Sequence, residues 1–236
     1  MRFTNRKAVV TGATRGIGLA IAKSLRAEGA YVIGTGRGNA AASHCDEHFA
    51  ADFADLAQIR ACAEFIRACA PDILVNNAGI NKIGAFADIA PEDFQKIQQV
   101  NVFAPFCLCQ AAIPGMKRNG WGRIVNISSI WGKISREYRA SYSASKFALD
   151  GLTIALAAEH SADGILANCI APGFIDTELT RQVLGEEGAR NVAGSVPVRR
   201  LGGVEEIARL VVWLSSPENT YLTGQNIAID GGFTRV

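Results

Sequence analysis

Residues 7–37 read KAVVTGATRGIGLAIAKSLRAEGAYVIGTGR, and this stretch decides the fold. Residues 7–11 form an apolar run that predicts a short buried strand, and residues 30–35 predict a second one. Between them, a glycine-rich turn leads into an amphipathic helix that ends near Gly29. The order strand, helix, strand predicts a βαβ unit, in which a helix connects two parallel strands.

The turn of this unit carries glycines at positions 12, 16 and 18, with the spacing G-x-x-x-G-x-G. Glycines allow the backbone to approach a pyrophosphate closely, and the start of the following helix offers free N–H groups and the positive end of a dipole. Glycines also mark ordinary strand-to-helix turns. The βαβ context is therefore what favours a nucleotide-binding loop here.

Apolar runs and amphipathic stretches alternate along the rest of the chain. The predicted strands are residues 7–11, 30–35, one ending at 50–52, 72–76, 123–128, 165–171 and 226–229. The predicted helices after the first are residues 55–69, 92–118 with an interruption at Pro105, 141–160 and 204–215. This alternation predicts an α/β fold with a doubly wound parallel β-sheet, in a single domain over residues 1–236.

Residues 177–195 differ from the other segments. They contain glycines at positions 185, 188 and 194 and show no strong apolar periodicity. We therefore expect a mobile substrate loop over about residues 177–195.

Composition excludes several classes of function. The chain of 236 residues is 49% hydrophobic, which suffices for one large core. A net charge of +2 without a basic block argues against a nucleic-acid partner, and no run has transmembrane length. The six cysteines lack a metal-binding spacing, so we expect no metal and reduced thiols in a cytoplasmic protein.

Ser129, Tyr142 and Lys146 form the candidate catalytic group. Tyr142 and Lys146 are four residues apart, so a helix places them on one face. An ammonium beside a phenol favours the phenolate, so we expect Lys146 to lower the pKa of Tyr142 toward neutral and make it a general acid or base. Ser129 follows a predicted buried strand, at its carboxyl end, and ligands of such folds bind at the carboxyl ends of the strands.

Six motifs then occur in order along the chain. They are TGATRGIG at 11–18, NNAG at 76–79, Asn101, Ser129, the Tyr142–Lys146 pair and APG at 171–173. Together they resemble the short-chain dehydrogenase/reductase family over essentially the whole chain. The resemblance implies a Rossmann-type fold and an oxidoreductase that interconverts a secondary alcohol and a ketone. Tyr142 would transfer the proton, Ser129 would bind the carbonyl oxygen, and Asn101 would complete a proton relay with Lys146.

The resemblance also implies a set of cofactor-binding residues. These are Gly12, Thr14, Arg15, Gly16, Ile17, Gly18, Arg37, Asp52, Phe53, Asn77, Ala78, Gly79, Tyr142, Lys146, Pro172, Gly173, Ile175 and Thr177. Asp52 and Phe53 match the pair over the adenine ring, and Ile175 and Thr177 match residues at the nicotinamide carboxamide.

Arg37 decides the expected cofactor. It stands just past the second strand, where an arginine accommodates a 2′-phosphate, and Gly36 takes the place where NAD-using relatives carry an aspartate. Arg15 supplies a second cation. We therefore expect NADP(H) to be preferred, with NAD(H) possible. The alternative is that Arg15 and Arg37 are both solvated surface residues.

The stretch between Ser129 and Tyr142 is the candidate substrate region. We expect substrate contacts from Ser129, Trp131, Lys133, Arg136, Tyr138 and Tyr142. The cations here, with Arg139, favour a small polar or acidic substrate, although a solvated loop or a subunit contact would explain them equally well.

Two other functions stay open. Many relatives of this size reduce 3-oxoacyl groups on acyl carrier protein, but Gly120 and Asp163 stand where that subgroup carries docking cations. A non-catalytic nucleotide-sensing or scaffold protein would usually have lost the tyrosine or the lysine. From the resemblance and from small or apolar residues on helices 92–118 and 141–160, we expect a homotetramer.

Overall fold

The computed structural model describes residues 1–38 and 44–236. Within these ranges the chain forms seven strands, β1–β7, that make one sheet. They are Lys7–Val10, Tyr31–Gly36, Glu47–Ala50, Ile73–Asn76, Gly122–Ile127, Ile165–Pro172 and Asn226–Ile229. All neighbouring strands pair in parallel, in the order β3-β2-β1-β4-β5-β6-β7. The predicted doubly wound parallel sheet is confirmed.

The described ranges also contain seven α-helices, α1–α7. They are Gly16–Ala27, Leu56–Cys69, Pro91–Gln98, Ala104–Asn119, Ala140–His160, Glu178–Ser195 and Val204–Ser215. Helix α1 packs beside α7, and α2 packs beside α4.

Two hydrophobic cores pack between the sheet and its helices, one under α1 and α7 and the other under α2 and α4. Val10 of β1 lies in the core with Ile21 of α1 and Val211 of α7, whereas its neighbour Val9 lies in the core with Ile59 of α2. Side chains of adjacent strand residues point to opposite faces, so one strand supplies both cores. Full burial of each such side chain stabilises the fold by about 1.5–3 kcal/mol.

The strand order places a crevice at the centre of the sheet. From β1 the chain first builds outward through β2 and β3, and then crosses to β4 on the other side of β1. Connections after β1 and β4 therefore leave in opposite directions. Ligands of open α/β sheets bind in such a crevice, beyond the carboxyl ends of the strands.

The predicted long helix over residues 92–118 is not continuous. Helix α3 ends at Gln98, a π-helical turn spans Gln99–Phe103, and α4 begins at Ala104. Pro105 has no N–H to donate to the carbonyl of Asn101, four residues earlier, so the regular α-helical pattern fails before the proline. The interruption therefore lies on the N-terminal side of Pro105 and includes Asn101.

The expectation of a loop over residues 177–195 is wrong for its secondary structure. Helix α6 spans Glu178–Ser195, and Thr177 caps it by accepting a hydrogen bond from the Thr180 amide at 3.1 Å. Gly185, with φ of 66°, breaks the helix into two parts. The segment lacks an apolar stripe because most of its described side chains are exposed or half-exposed. Its mobility stays a prediction.

The described residues show neither a membrane-spanning helix nor a metal-binding cluster. None of the described helices is long and apolar enough to cross a membrane. Among the same residues, His, Cys, Asp and Glu side chains form no group of three that could hold a metal ion.

Candidate active site

A cleft of about 450 Å³ opens at the carboxyl ends of β1, β2 and β4. The predicted cofactor residues that line it are Gly12, Thr14, Arg15, Gly16, Ile17, Gly18, Arg37, Asp52, Phe53, Asn77, Ala78, Gly79 and Thr177. Residues from five separate parts of the chain thus meet in one place.

The glycine loop of this cleft is closed tightly. Gly12 has a φ of 65°, in the left-handed region that favours glycine. A Cβ on Gly18 would lie 2.2 Å from the carbonyl oxygen of Gly12 and 2.4 Å from Nδ2 of Asn77, so no larger residue fits there.

The start of α1 faces the cleft and lacks a side-chain cap. Arg15 occupies the N-cap position and its side chain makes no capping hydrogen bond. The first amides of α1 therefore remain available to an anion, with the positive end of the helix dipole behind them. An uncapped helix start beside a loop that excludes side chains fits a pyrophosphate.

Thr11 and Asn77 fix the two strand ends that form the floor of the cleft. The Thr11 hydroxyl accepts hydrogen bonds from the amides of Asn77 at 2.9 Å and Ala78 at 3.0 Å. The Asn77 side chain donates to the carbonyls of Thr11 at 2.9 Å and Gly12 at 3.1 Å. Sequence reasoning missed Thr11, whose position at the end of β1 was the available signal.

Two cations stand unpaired at the mouth of the cleft. Arg15 and Arg37 are exposed, and their side chains form no hydrogen bond or ion pair within residues 1–38 and 44–236. A Cβ on Gly36 would lie 2.6 Å from Cγ2 of Thr14, so an aspartate would fit there only if Thr14 moved. Lys96 of α3 also lines the cleft; sequence reasoning missed it because an exposed lysine on a helix resembles any solvated one.

Tyr142 and Lys146 lie one turn apart on α5, as predicted. Nζ of Lys146 is 5.5 Å from the centroid of the Tyr142 ring. Ser129 follows β5 and accepts a hydrogen bond from the Trp131 amide at 3.2 Å, and its hydroxyl is close enough to the Tyr142 phenol to lower the pKa of that phenol. The structure thus brings the three predicted catalytic side chains together.

The prediction that Lys146 lowers the pKa of Tyr142 toward neutral is wrong in this structure. Burial raises the pKa of Tyr142, and only the hydrogen bond to Ser129 and the nearby charge of Arg139 lower it in part. The Lys146 ammonium instead donates to the Ile127 carbonyl at 2.7 Å. Burial lowers the pKa of Lys146 to about 8. For both groups, burial is the largest cause of the pKa shift.

Asn101 ties three elements together from inside the π-helical turn. Its Oδ1 accepts from the Ile80 amide at 2.9 Å, and its Nδ2 donates to the Ile80 carbonyl at 2.9 Å and to Oγ of Ser145 at 3.0 Å. The residue is 1% exposed. Asn101 and Lys146 both approach Gly79, where a Cβ would lie 3.3 Å from Oδ1 of Asn101 and 3.6 Å from Nζ of Lys146. The relay role of Asn101 stays a prediction.

Known proteins match this chain over its whole length. A family model described as "Enoyl-(Acyl carrier protein) reductase" matches residues 12–234. The 3-oxoacyl-(acyl-carrier-protein) reductase FabG of Escherichia coli is 38% identical over 245 residues and covers all of both chains. The chain belongs to the short-chain dehydrogenase/reductase family. It is therefore an oxidoreductase acting on CH–OH and keto groups.

Other members of the family give the same picture. Acetoacetyl-CoA reductase of Shinella zoogloeoides is 38% identical, with 97% of this chain and 98% of that protein covered. The solved structure described as a gluconate 5-dehydrogenase from Beutenbergia cavernae with bound NADP has a TM-score of 0.93 and 34% identity. It covers 99% of this chain and 98% of that one.

The family residues after β6 occupy two different settings. Thr177 lines the cleft. Gly173 donates its amide to the Ile229 carbonyl at 3.0 Å, and Ile175 is 6% exposed and bridges to Gly202. The nicotinamide contacts expected from Pro172, Gly173, Ile175 and Thr177 stay predictions.

The candidate substrate region is built on the Trp131 indole. Trp131 is 7% exposed, and its ring meets Phe174 edge-on at 6.2 Å and Phe233 at 6.4 Å. The guanidinium carbons of Arg136 and Arg139 each lie 5.9 Å from the Trp131 ring centroid. Phe174 and Phe233 were missed, since no local pattern links them to residue 131.

Two other predicted substrate residues behave differently. Tyr138 is 53% exposed and has a φ of 65°, which a non-glycine residue rarely adopts. Lys133 is not a free cation beside the site, because its Nζ donates to the Asn226 carbonyl at 2.7 Å. Lys133 follows the turn Ile130–Gly132, and its hydrogen bond to Asn226 connects this segment to β7. The expected substrate contact from Lys133 stays a prediction.

Proposed function

We propose that this enzyme reduces a ketone to a secondary alcohol with NADP(H), and that its substrate is a 3-oxoacyl thioester. The single observation that carries the reaction is the convergence of Tyr142, Ser129 and Lys146, with Nζ of Lys146 approaching Gly79 of the cleft. The names of the relatives carry the substrate, since FabG and acetoacetyl-CoA reductase both act on 3-oxoacyl groups by name.

In this proposal each catalytic side chain has one task. The bound cofactor supplies the hydride. Tyr142 donates its phenolic proton to the oxygen that becomes the alcohol, and Ser129 donates a hydrogen bond to that oxygen as negative charge develops on it. Lys146 lies buried below the phenol and binds the nicotinamide ribose, while Asn101 holds the backbone of Ile80 at the same edge of the cleft.

NADP(H) rather than NAD(H) is supported by charge at the cleft mouth. Arg15 and Arg37 have no anionic partner within the described ranges, and a 2′-phosphate is a dianion that such guanidiniums bind. A structural neighbour holds NADP. NAD(H) lacks this phosphate and would gain nothing from either arginine.

A small polar or acidic substrate is the second candidate. It is favoured by Arg136 and Arg139 on the indole of Trp131, and by the neighbour described as a gluconate 5-dehydrogenase. Asp163, at a position where carrier-protein reductases carry a docking cation, is paired with Lys117 at 2.9 Å and adds negative charge there.

We also propose a cytoplasmic homotetramer with no nucleic-acid or membrane partner. Helices α4 and α5, with the turn before α4, expose large apolar side chains that a second copy could cover: Phe103, Phe106, Phe147 and Ile154. All six cysteines are free thiols, which suits a reducing compartment.

A substrate panel followed at the nicotinamide absorbance tests this proposal. Acetoacetyl-CoA, the N-acetylcysteamine thioester of acetoacetate and simple ketones are offered with NADPH and, separately, with NADH. Faster NADPH oxidation with both thioesters than with ketones lacking the thioester supports the proposal. If no carbonyl compound oxidises NADPH, the proposed ketone reduction is wrong. If NADH is used as efficiently as NADPH, the proposed preference for NADP(H) is wrong.

A further inference from the structure

Arg136 and Arg139 share one aromatic surface beside the candidate catalytic residues. Both guanidinium carbons lie 5.9 Å from the centroid of the Trp131 ring. The ring is fixed by its burial and by edge contacts with Phe174 and Phe233. A planar guanidinium over an indole loses rotational freedom but keeps its N–H donors at the rim. The two arginines are therefore held with donors available to a ligand.

The positive charge of this pair is not neutralised by the protein. The Arg139 side chain is half-buried and forms no hydrogen bond or ion pair in the described part of the chain. Arg136 reaches only the exposed carboxylate of Glu137, at 4.0 Å. The pKa of Arg139 is lowered first by burial and then by the like charge of Arg136. Because Arg139 is half-buried beside a like charge, a bound anion would stabilise this pair.

The pair is connected to both groups that would hold the reacting carbonyl. Arg139 precedes Tyr142 by three residues at the start of α5, and residues three apart on a helix are neighbours. The amide of Trp131 donates to Oγ of Ser129 at 3.2 Å. The indole of Trp131 thus contacts both arginines, and the backbone amide of Trp131 positions the Ser129 hydroxyl.

We propose that Arg139 and Arg136 form an anion subsite that binds a free carboxylate of the substrate, so that the preferred substrate is an oxo acid. This inference rests on the proposed ketone reduction and on the second candidate substrate, a small acidic molecule, which it specifies as an oxo acid in place of the 3-oxoacyl thioester. The carboxylate is unchanged by the reaction: hydride adds to the carbonyl carbon, and the Tyr142 proton goes to the carbonyl oxygen. A thioester or ester with the same oxo group has no carboxylate for the arginines.

Matched pairs of acids and esters test the subsite. Acetoacetate is compared with ethyl acetoacetate, and levulinate with ethyl levulinate, by their kcat/KM with NADPH. The comparison uses the wild type, Arg139→Gln, Arg136→Gln and the control Arg67→Gln, an exposed arginine on α2. The acid-to-ester ratio should fall about tenfold or more in Arg139→Gln, mainly through KM, because a charge-assisted hydrogen bond is lost.

A binding measurement keeps the subsite testable apart from turnover. Calorimetry with acetoacetate in the presence of NADP⁺ should show binding to the wild type and Arg67→Gln, and at least about tenfold weaker binding to Arg139→Gln. Equal acid-to-ester ratios in the wild type and Arg139→Gln, or equal acetoacetate binding, would overturn the subsite. If the wild type reduces esters as efficiently as acids, the subsite is wrong and the proposed ketone reduction still stands. If the wild type binds acetoacetate but reduces none of the four compounds, only the proposed ketone reduction is contradicted.

Discussion

The ammonium of Lys146 donates a hydrogen bond to the carbonyl of Ile127, 2.7 Å away, at the end of β5. Lys146 is 4% exposed, and burial lowers its pKa from 10.5 to about 8. Between these two pKa values the unfolded chain binds a proton that the folded chain does not. Stability contributed by this residue therefore rises as the pH increases through this window.

This pKa shift predicts a pH-dependent difference between the wild type and Lys146→Met. The wild type should gain about 2 kcal/mol of unfolding free energy over the variant between about pH 7.5 and about pH 10. Urea denaturation of both proteins at each pH measures the difference, with Lys23→Met, at an exposed position of α1, as the control. A difference that does not change with pH would mean that Lys146 is not titrating in this window.

Arg37→Asp should change the cofactor preference toward NADH. The substitution removes a cation from the cleft mouth and adds a charge that repels the 2′-phosphate. The ratio of kcat/KM with NADPH to that with NADH should fall about tenfold to a hundredfold. Arg67→Asp, away from the cleft, is the matched control. An unchanged ratio would show that Arg37 does not contact the phosphate.

Much of the cofactor cleft could be predicted because its residues lie near strand ends and in short motifs. The glycines at positions 12 and 18 stand in one short motif, and the structure requires them because of the left-handed φ of Gly12 and the close contact of Gly18 with Asn77. The interruption before α4 was also visible, since Pro105 stands in the sequence. Its exact position depends on which carbonyl loses its donor.

The candidate substrate region was harder to predict because its contacts join distant residues. Lys133 is bound by Asn226, 93 residues later, and Trp131 packs on Phe233 near the C-terminus. The pKa of Tyr142 depends on burial, which spacing does not reveal. Helix α6 was missed since it has no buried stripe that would produce an apolar period.

We expect α6 to order over bound cofactor and substrate. Thr177, its cap, lines the cleft, and Gly185 divides the helix at a point where it can bend. Amides of residues 177–195 should exchange hydrogen quickly in the free protein and slowly with NADPH and a competent ligand, while those of α1 in the core change less. Strong and equal protection of residues 177–195 in both states would identify a rigid connection.

Static light scattering should report a homotetramer at micromolar concentration. Ile154, 53% exposed on α5, belongs to the apolar face that we expect to be covered by another copy. Ile154→Glu should reduce the assembled mass because it buries an unpaired charge. Leu56→Glu, at a 41% exposed position on α2, should leave the mass unchanged. A monomeric wild type would contradict the proposed assembly.

Tyr142→Phe is the decisive variant for proton donation by Tyr142 in an NADP(H)-dependent ketone reduction. The change removes one hydroxyl from a half-buried ring, and Tyr221→Phe, at a residue that is 96% exposed, is the control. With a ketone that the wild type reduces, kcat should fall at least about a hundredfold in Tyr142→Phe, while NADPH binding measured by fluorescence changes little. If the Tyr142→Phe enzyme binds NADPH normally and keeps more than a few per cent of wild-type turnover, Tyr142 is not the proton donor.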